Sequence, residues 1–384
     1  MRPHIPAYFD TMSPDLDELH RLCSQPTGES ICPSAPTIEQ RIPVYSGQLF
    51  EELSNVETHR LKEELCTVLR DGPGVFAVTG AYPVLDVVDR CTEVFRQVVE
   101  EERRSGLGAG DHFGQNERIW NSLQKVCLKD PDLFIDYYGN PVLALASEAW
   151  LGPSYQVTAQ MNNVRPGSTS QSVHRDYHLG FQSDDTIARF PAHAQTMSQF
   201  LTLQGAVAHS DMPVESGPTL LLPYSHLYEA GYATFRHSEV QAYFDKHHAQ
   251  LPLSRGDMLF FSPAVLHAAG ENRSDSDRIA NLLQVSSAFG KTMESLDKRA
   301  MVEAIYPVLL ARKLSGKLPA HLMRNAIAAA ADGYAFPTNL DLDPPVDGNA
   351  PETAQSLVER ALNEGWSIER LRNELTEYGK RRKS

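Results

Sequence analysis

The spacing of apolar positions divides the chain into three stretches. After about 40 opening residues rich in Pro, Ser and Thr, which read as an arm lying over the body, the segment LFEELSNVETHRLKEELCTVLR (residues 49–70) repeats its apolar residues at helical spacing. DGPG stops that helix, and VFAVTGAY follows as a short β run. Residues 84–104, VLDVVDRCTEVFRQVVEEERR, predict an amphipathic helix with a charged end, and residues 131–150 read as helical too.

The pattern changes in the middle. From Tyr155 to about Gly290, short β-like runs are separated by Gly, Pro, Ser and Asp: YQVTAQMNNV, SQFLTLQGAVAH, GPTLLLPYSH, GDMLFFSPAVLHAAG and RIANLLQVSSAFG. Short strands at this spacing predict a sandwich or barrel rather than βαβ units. After Lys291 helical patterning returns in SLDKRAMVEAIYPVLLARKL, HLMRNAIAAAA and ETAQSLVERALNEGWSIERLRNELTEYG, with FPTNLDLDPPVDGNAP as a turn-rich connector. The expected architecture is a mainly β core with flanking helices. It comprises an N-terminal arm (1–40), a body (41–290) and a helical C-terminal extension (291–384) packed on the same domain.

Composition narrows the class. The 384 residues are ample for a substantial core, and 41% hydrophobic with 22% charged residues describes a globular chain. The net charge of −14 argues against a nucleic-acid partner, and the basic tail KRRKS is too short to change that. Nothing approaches the ~18 apolar residues of a membrane span. The N-terminus shows no secretory pattern, and RKS is not a peroxisomal address. Five scattered cysteines without a CxxC pair suit reduced thiols, so a cytoplasmic location is expected.

The candidate chemistry lies in SVHRDYHLGFQ, residues 172–182. Side chains two apart on a strand share a face, so His174 and Asp176 present an imidazole and a carboxylate together. Those are two corners of the facial triad that holds non-heme Fe(II). His267, late in an apolar run of GDMLFFSPAVLHAAGENRSDSDRIANLL, is the candidate third corner. Arg278 opens the next strand, where a guanidinium can clamp a carboxylate bidentately. Two imidazoles and one carboxylate leave three positions on the metal, enough for a bidentate oxo-acid and O2.

At these residues the sequence resembles the phytanoyl-CoA dioxygenase family of Fe(II)/2-oxoglutarate-dependent oxygenases. The resemblance runs from about Pro73 to Gly290. It is carried by PGVFAVTGAY, by HRD at 174–176, by ESGPTLLLPYSH at 215–226, by GDMLFFSPAVLHAAGENRS, and by Arg278 eleven residues after His267. It implies a double-stranded β-helix (a jelly roll, cupin-like), with His174, Asp176 and His267 as catalytic iron ligands. It further implies that Arg278 binds the far carboxylate of 2-oxoglutarate, with Gln160 and Thr219 as further cosubstrate contacts. The stretch around Thr219 departs from the family's usual NGCL…PGSH wording. Because Asp176 keeps the carboxylate that halogenating relatives lack, oxidation of an unactivated C–H, by default hydroxylation, is implied, with decarboxylation of 2-oxoglutarate to succinate. The expected substrate is a small molecule in a natural-product or specialised-metabolite tailoring step. The arm and the C-terminal helices offer surface for a lid or a homodimer contact.

Blander readings compete at each position. His178, four after His174, would make a two-histidine zinc pair on a helix, but the Pro166-Gly167 turn and Gly180 oppose a helix here; His178 reads instead as a pocket residue. His226 reads as a turn histidine bonding backbone, and His247 and His248 as part of a solvated helix. His193 and His209 have no evident partner. Arg175 reads as a surface or ion-pair residue, and Tyr177, Phe181 and Met161 as core. Two other classes remain: a metal-dependent cupin-type enzyme or hydrolase that does not use 2-oxoglutarate, and a non-catalytic jelly-roll binding module.

Overall fold

A computed structural model describes residues 6–51, 53–106, 116–345 and 350–383. Residues 1–5 of the predicted arm, 346–349 of the predicted connector and the terminal Ser384 lie outside them. Eleven strands are described: β1 Thr37–Glu39, β2 Ile42–Ser46, β3 Val75–Thr79, β4 Glu117–Ile119, β5 Gln156–Val164, β6 Thr202–Ala208, β7 Leu220–Leu221, β8 Ala249–Gln250, β9 Met258–Phe261, β10 His267–Ala268 and β11 Arg278–Ser286. Eight of them form one mixed sheet in the order β1-β2-β3-β9-β6-β11-β5-β4, and three form a small sheet in the order β10-β7-β8. Every pair is antiparallel except β2 with β3.

The two faces of the large sheet differ because side chains alternate along each strand. On the outer face, Val157, Ala159 and Met161 of β5, Leu203 and Val207 of β6, Met258 and Phe260 of β9, and Leu283 and Val285 of β11 pack into one apolar cluster with the helices. Those helices come from both ends of the chain and include Asn55–Arg70, Asp86–Ser105, Pro131–Tyr138, Pro141–Leu151 and the four C-terminal ones. Each large apolar side chain fully buried in this layer contributes roughly 1.5–3 kcal/mol relative to exposure. The inner face packs on the small sheet through Val44, Val75, Leu259 and Phe261 against Leu221, Ala249, Leu251 and Leu253.

Local chemistry explains the helix boundaries. Asn55–Arg70 starts at a capping box, in which Ser54 accepts from the Glu57 amide and Glu57 accepts from the Ser54 amide. It ends where Gly74 (φ +76°) leaves room for the His226 ring, and His226 Nε2 donates to the Arg70 carbonyl (3.2 Å). His226 is therefore the backbone-bonding turn histidine expected from PYSH. The predicted helix 131–150 is two helices. Pro cannot continue a helix, and the Asn140 side chain caps the second by accepting from the Val142 amide (2.8 Å).

The arm binds the body through helix Leu16–Cys23. Leu19, Leu22 and Cys23 pack with Val173, Tyr228, Tyr232 and Phe244, and the Asp15 amide donates to Tyr228 Oη (2.8 Å). All five cysteines are free and four are buried. Among the described residues no helix is long and apolar enough to cross a membrane.

Candidate metal centre

Only fragments of strand carry the candidate ligands. His174 is not inside a strand: it makes an isolated antiparallel bridge with His267, exchanging both backbone hydrogen bonds (2.9 and 3.0 Å). The Asp176 amide then donates to the Pro263 carbonyl (2.9 Å). β10 in turn sets His267 opposite Leu221 of β7. The sequence expectation of one continuous strand through HRD is thus corrected to a single bridge. That bridge still brings His174 and His267 side by side, with ring centroids 4.4 Å apart.

One atom each of His174, Asp176 and His267 lies within 4.8 Å of the others, a set able to hold a metal ion. Both histidines have a fixed tautomer. His174 Nδ1 lies 2.8 Å from the Ser172 carbonyl, and His267 Nδ1 lies 2.8 Å from the Val265 carbonyl. A carbonyl only accepts, so each Nδ1 carries the proton and each Nε2 presents a lone pair. Those two Nε2 atoms point to the Asp176 carboxylate, at 4.0 and 3.5 Å. Burial, reinforced by the neighbouring His267, pushes the His174 imidazole down and keeps it in its neutral, ligating form.

Asp176 is held by three elements. Its Oδ2 accepts from Gln204 Nε2 (2.7 Å), and its carbonyl accepts from Tyr232 Oη (2.5 Å). Burial alone would raise the carboxyl, and the Gln204 amide opposes this by donating to the ionised form. Gln204 lies at an inward position of β6, beside Phe261 of β9 and Gln284 of β11. Sequence reasoning missed it. The visible signal was a lone amide in the otherwise apolar run LTLQGAVA.

Arg278 opens β11 on the same inward face, opposite Val164. It is 6% exposed, burial pushes its guanidinium down to about 10, and its Nη1 has no hydrogen-bond partner. The adjacent Asp277 turns to Arg165 (2.6 Å) and Asn163 (3.1 Å). Between Arg278 and the Gln204 end, the inner face carries the small side chains Ala280, Ala206 and Ala208. Asn162 Oδ1, Gln204 Oε1 and Gln284 Oε1, on that same face, are also buried without partners.

The remaining expectations divide. Gln160 is buried on the inner face and donates to Met293 Sδ (3.3 Å). Thr219 is partly buried immediately before β7, two residues from Leu221. Arg175 is corrected: it is 1% exposed, bonds the Ser225 and Tyr228 carbonyls, and lies 5.3 Å over the Tyr232 ring. The Gly231 backbone makes room for it, since a Cβ there would meet the guanidinium. Tyr177 is only partly buried, bonding the Thr292 carbonyl (3.2 Å), and Phe181 is 60% exposed, so neither is core; Met161 is. His178 is half-buried, 3.3 Å from Thr202 Oγ1, and His209 proves to be fully partnered.

This donor set suits Fe(II): two neutral imidazoles and one carboxylate, with no fourth side chain among the described residues closing the coordination sphere. A buried guanidinium with no counter-charge among the described residues suits a dicarboxylic cosubstrate. The family model described as phytanoyl-CoA dioxygenase (PhyH) matches residues 60–280. The chain therefore matches that family's model over more than half of its length. It belongs to the phytanoyl-CoA dioxygenase (PhyH) family.

A curated relative, the uncharacterized protein YJR154W of Saccharomyces cerevisiae, is 26% identical over 133 residues. That match spans 35% of this chain and 35% of the relative's own length. Among solved structures, the non-heme alpha ketoglutarate dependent epimerase SnoN from nogalamycin biosynthesis is 18% identical (TM-score 0.42), over 60% of this chain and 84% of that one. The carbocyclase SnoK from the same biosynthesis is 20% identical (TM-score 0.41), over 65% and 90%.

Proposed function

We propose that His174 Nε2, His267 Nε2 and an Asp176 oxygen hold Fe(II), that Arg278 receives the distal carboxylate of 2-oxoglutarate, and that the chain hydroxylates an unactivated C–H of a small molecule. The observation that carries this reading is the buried, unpaired Arg278 on the same sheet face as the amide that bonds Asp176. Leaving a cation uncompensated in the interior costs several kcal/mol, so the site is shaped for an anion supplied from outside. When bound, iron and 2-oxoglutarate supply an oxidative decarboxylation coupled to attack on the C–H bond. The chain's own part is to fix the two imidazole tautomers, hold Asp176 ionised, and present a cation at a set distance. The two facing sheets and the His174–His267 bridge support a double-stranded β-helix as the underlying fold. The burial of Gln160 and the place of Thr219 beside the His267 pairing support further cosubstrate contacts there.

The surroundings support a small molecule with an apolar, ring-bearing body, as in specialised-metabolite tailoring. From Asp176 the chain leads through Tyr177 to Phe181, whose rings are 6.1 Å apart. A Cβ on Gly290 would lie 3.6 Å from His178 Nε2, which places the next exposed ring, Phe289 (77% exposed), close by. Phe289 meets Tyr334 at 5.6 Å, and Tyr334 meets Phe336 at 5.7 Å. Exposed aromatic rings grouped beside a site mark a docking surface. The shared apolar cluster of C-terminal helices and sheet supports one domain from residue 41 to the C-terminal helices, and the free cysteines support a reducing, cytoplasmic setting.

The test is an anaerobic titration of apoprotein with Fe(II) and 2-oxoglutarate, read by the weak visible charge-transfer band of a chelated keto-acid. The parent shows the band, His267→Ala lacks it, and Arg278→Ala needs far more 2-oxoglutarate to reach it. A folded parent with no band refutes the assignment.

A further inference from the structure

Behind the large sheet, on the face opposite the metal centre, lies a chain of buried polar groups. Its proton directions can be read from its last member. Thr92 Oγ1 donates to the Val88 carbonyl in the preceding helical turn (2.8 Å), so it has no proton left for His209 and must accept from Nδ1 (2.8 Å). His209 therefore carries its proton on Nδ1, and its Nε2 accepts from Tyr137 Oη (2.6 Å). Tyr137 Oη, its proton used, accepts from Asn281 Nδ2 (3.2 Å). Asn281 also donates to Tyr138 Oη (3.0 Å) and accepts from Ser122 Oγ (3.0 Å). Burial pushes the His209 imidazole down to about 3, so the relay holds a neutral ring.

This relay ends on β11 three residues after Arg278. One of the two intervening residues is held as well: the Ile279 amide donates to Ser210 Oγ (3.0 Å), and the Ile279 carbonyl accepts from the His209 amide (2.9 Å). Ile279 and Asn281 point outward by alternation, while Arg278 and Ala280 point inward. Among the described residues no carboxylate pairs with Arg278 and its Nη1 has no partner, so its direction is set by the backbone that carries it. A buried network with every member satisfied is rigid and specific in a way an apolar contact is not.

We infer that Tyr137, His209, Thr92 and Asn281 are positioning residues that aim Arg278 at the distal carboxylate of the keto-acid from behind the sheet. This rests on the role proposed above for Arg278. Removing the Tyr137 hydroxyl leaves His209 Nε2 and one Asn281 N–H unpaired and frees the start of β11. The loss falls on the carboxylate that Arg278 binds, not on the end of the keto-acid that chelates metal.

The experiment compares two keto-acids in the anaerobic titration: 2-oxoglutarate, and 2-oxobutanoate, which lacks the distal carboxylate. In Tyr137→Phe, 2-oxoglutarate binding weakens by roughly fivefold, the scale of one lost buried hydrogen bond. Binding of 2-oxobutanoate and of Fe(II) alone stays at the parent's value. Thr92→Val, should Tyr137→Phe not fold, shows the same selective loss, and Thr92→Ser restores parent affinity. Equal weakening of both acids means general loosening and overturns the inference, as does no change in either. Arg278→Ala runs alongside: if it binds 2-oxoglutarate like the parent, the underlying role of Arg278 fails; if it weakens while Tyr137→Phe does not, only the positioning role fails.

Discussion

Replacing Arg278 by methionine makes the apoprotein more stable and deaf to 2-oxoglutarate. The guanidinium sits at about 10, against an ordinary arginine value near ~12.5, because burial disfavours its charge and no carboxylate among the described residues compensates. At ~1.4 kcal/mol per pH unit that difference is roughly 3 kcal/mol. The sign follows from which state binds the proton less readily. The folded state does, so the cost is fully present below the folded value, including at neutral pH, and fades only as the pH rises above it. Methionine removes the charge with similar reach, and the cavity it leaves costs ~1 kcal/mol. The net gain is about 2 kcal/mol, which for a chain of this size raises Tm by a few degrees. Thermal unfolding followed by circular dichroism, with and without Fe(II) and 2-oxoglutarate, measures both halves. The parent gains stability from the cosubstrate by mass action, and Arg278→Met does not. If Arg278→Met instead melts several degrees below the parent without cosubstrate, the arginine is a structural element with a partner of its own, and the reasoning fails.

Gln204→Leu removes the 2.7 Å bond that orients Asp176 and weakens Fe(II) binding by ~10-fold or more in a metal titration; unchanged affinity shows that Asp176 is held adequately by other contacts. Gly231→Ala drives a methyl into the buried Arg175 guanidinium and lowers stability by about 1–3 kcal/mol in urea unfolding; a neutral result shows that Arg175 can move aside. His209 and His226 are buried with values near 3 and 4. The unfolded chain takes up protons below ~6.5 while the folded one does not, so near pH 5 each histidine lowers stability by ~2 kcal/mol relative to neutral pH. A urea midpoint that is flat between neutral pH and pH 5 contradicts this.

How much was legible in the sequence follows from the range of the interactions involved. The run RIANLLQVS, rich in apolar residues and opened by a turn-rich stretch, reads as a strand, and it is a nine-residue strand from Arg278 to Ser286. GPTLLLPYSH and SPAVLHAAG also read as strands, yet each yields only two paired residues. Their apolar side chains fill the space between turns, so hydrophobicity there reports burial rather than ladder length. HRD, His267 and Arg278 could be singled out because their residue types carry the chemistry. Arg175 and His209 could not. Arg175 is buried where carbonyls converge on it, and those of Ser225 and Tyr228 lie about 50 residues away. The partners of His209, Thr92 and Tyr137, lie 117 and 72 residues away, where no local pattern reports them.

The strand order also sets the sequence of events as the chain emerges from the ribosome. β11, the last strand made, is inserted between β5 and β6 and touches both along its length. Until it arrives, Gln156 and Ser286 cannot pair, and β5 and β6 each present an open edge with an apolar outer face. Nearly three-quarters of the chain must therefore be synthesised before the sheet closes. The same late segment brings His267 and Arg278 within 20 residues of the closing strand's end. A nascent chain holding only His174 and Asp176 offers two of the three candidate ligands on an unfinished sheet. The third candidate ligand and the strand that closes the sheet are thus made within 20 residues of each other, so a chain that stops before His267 lacks both.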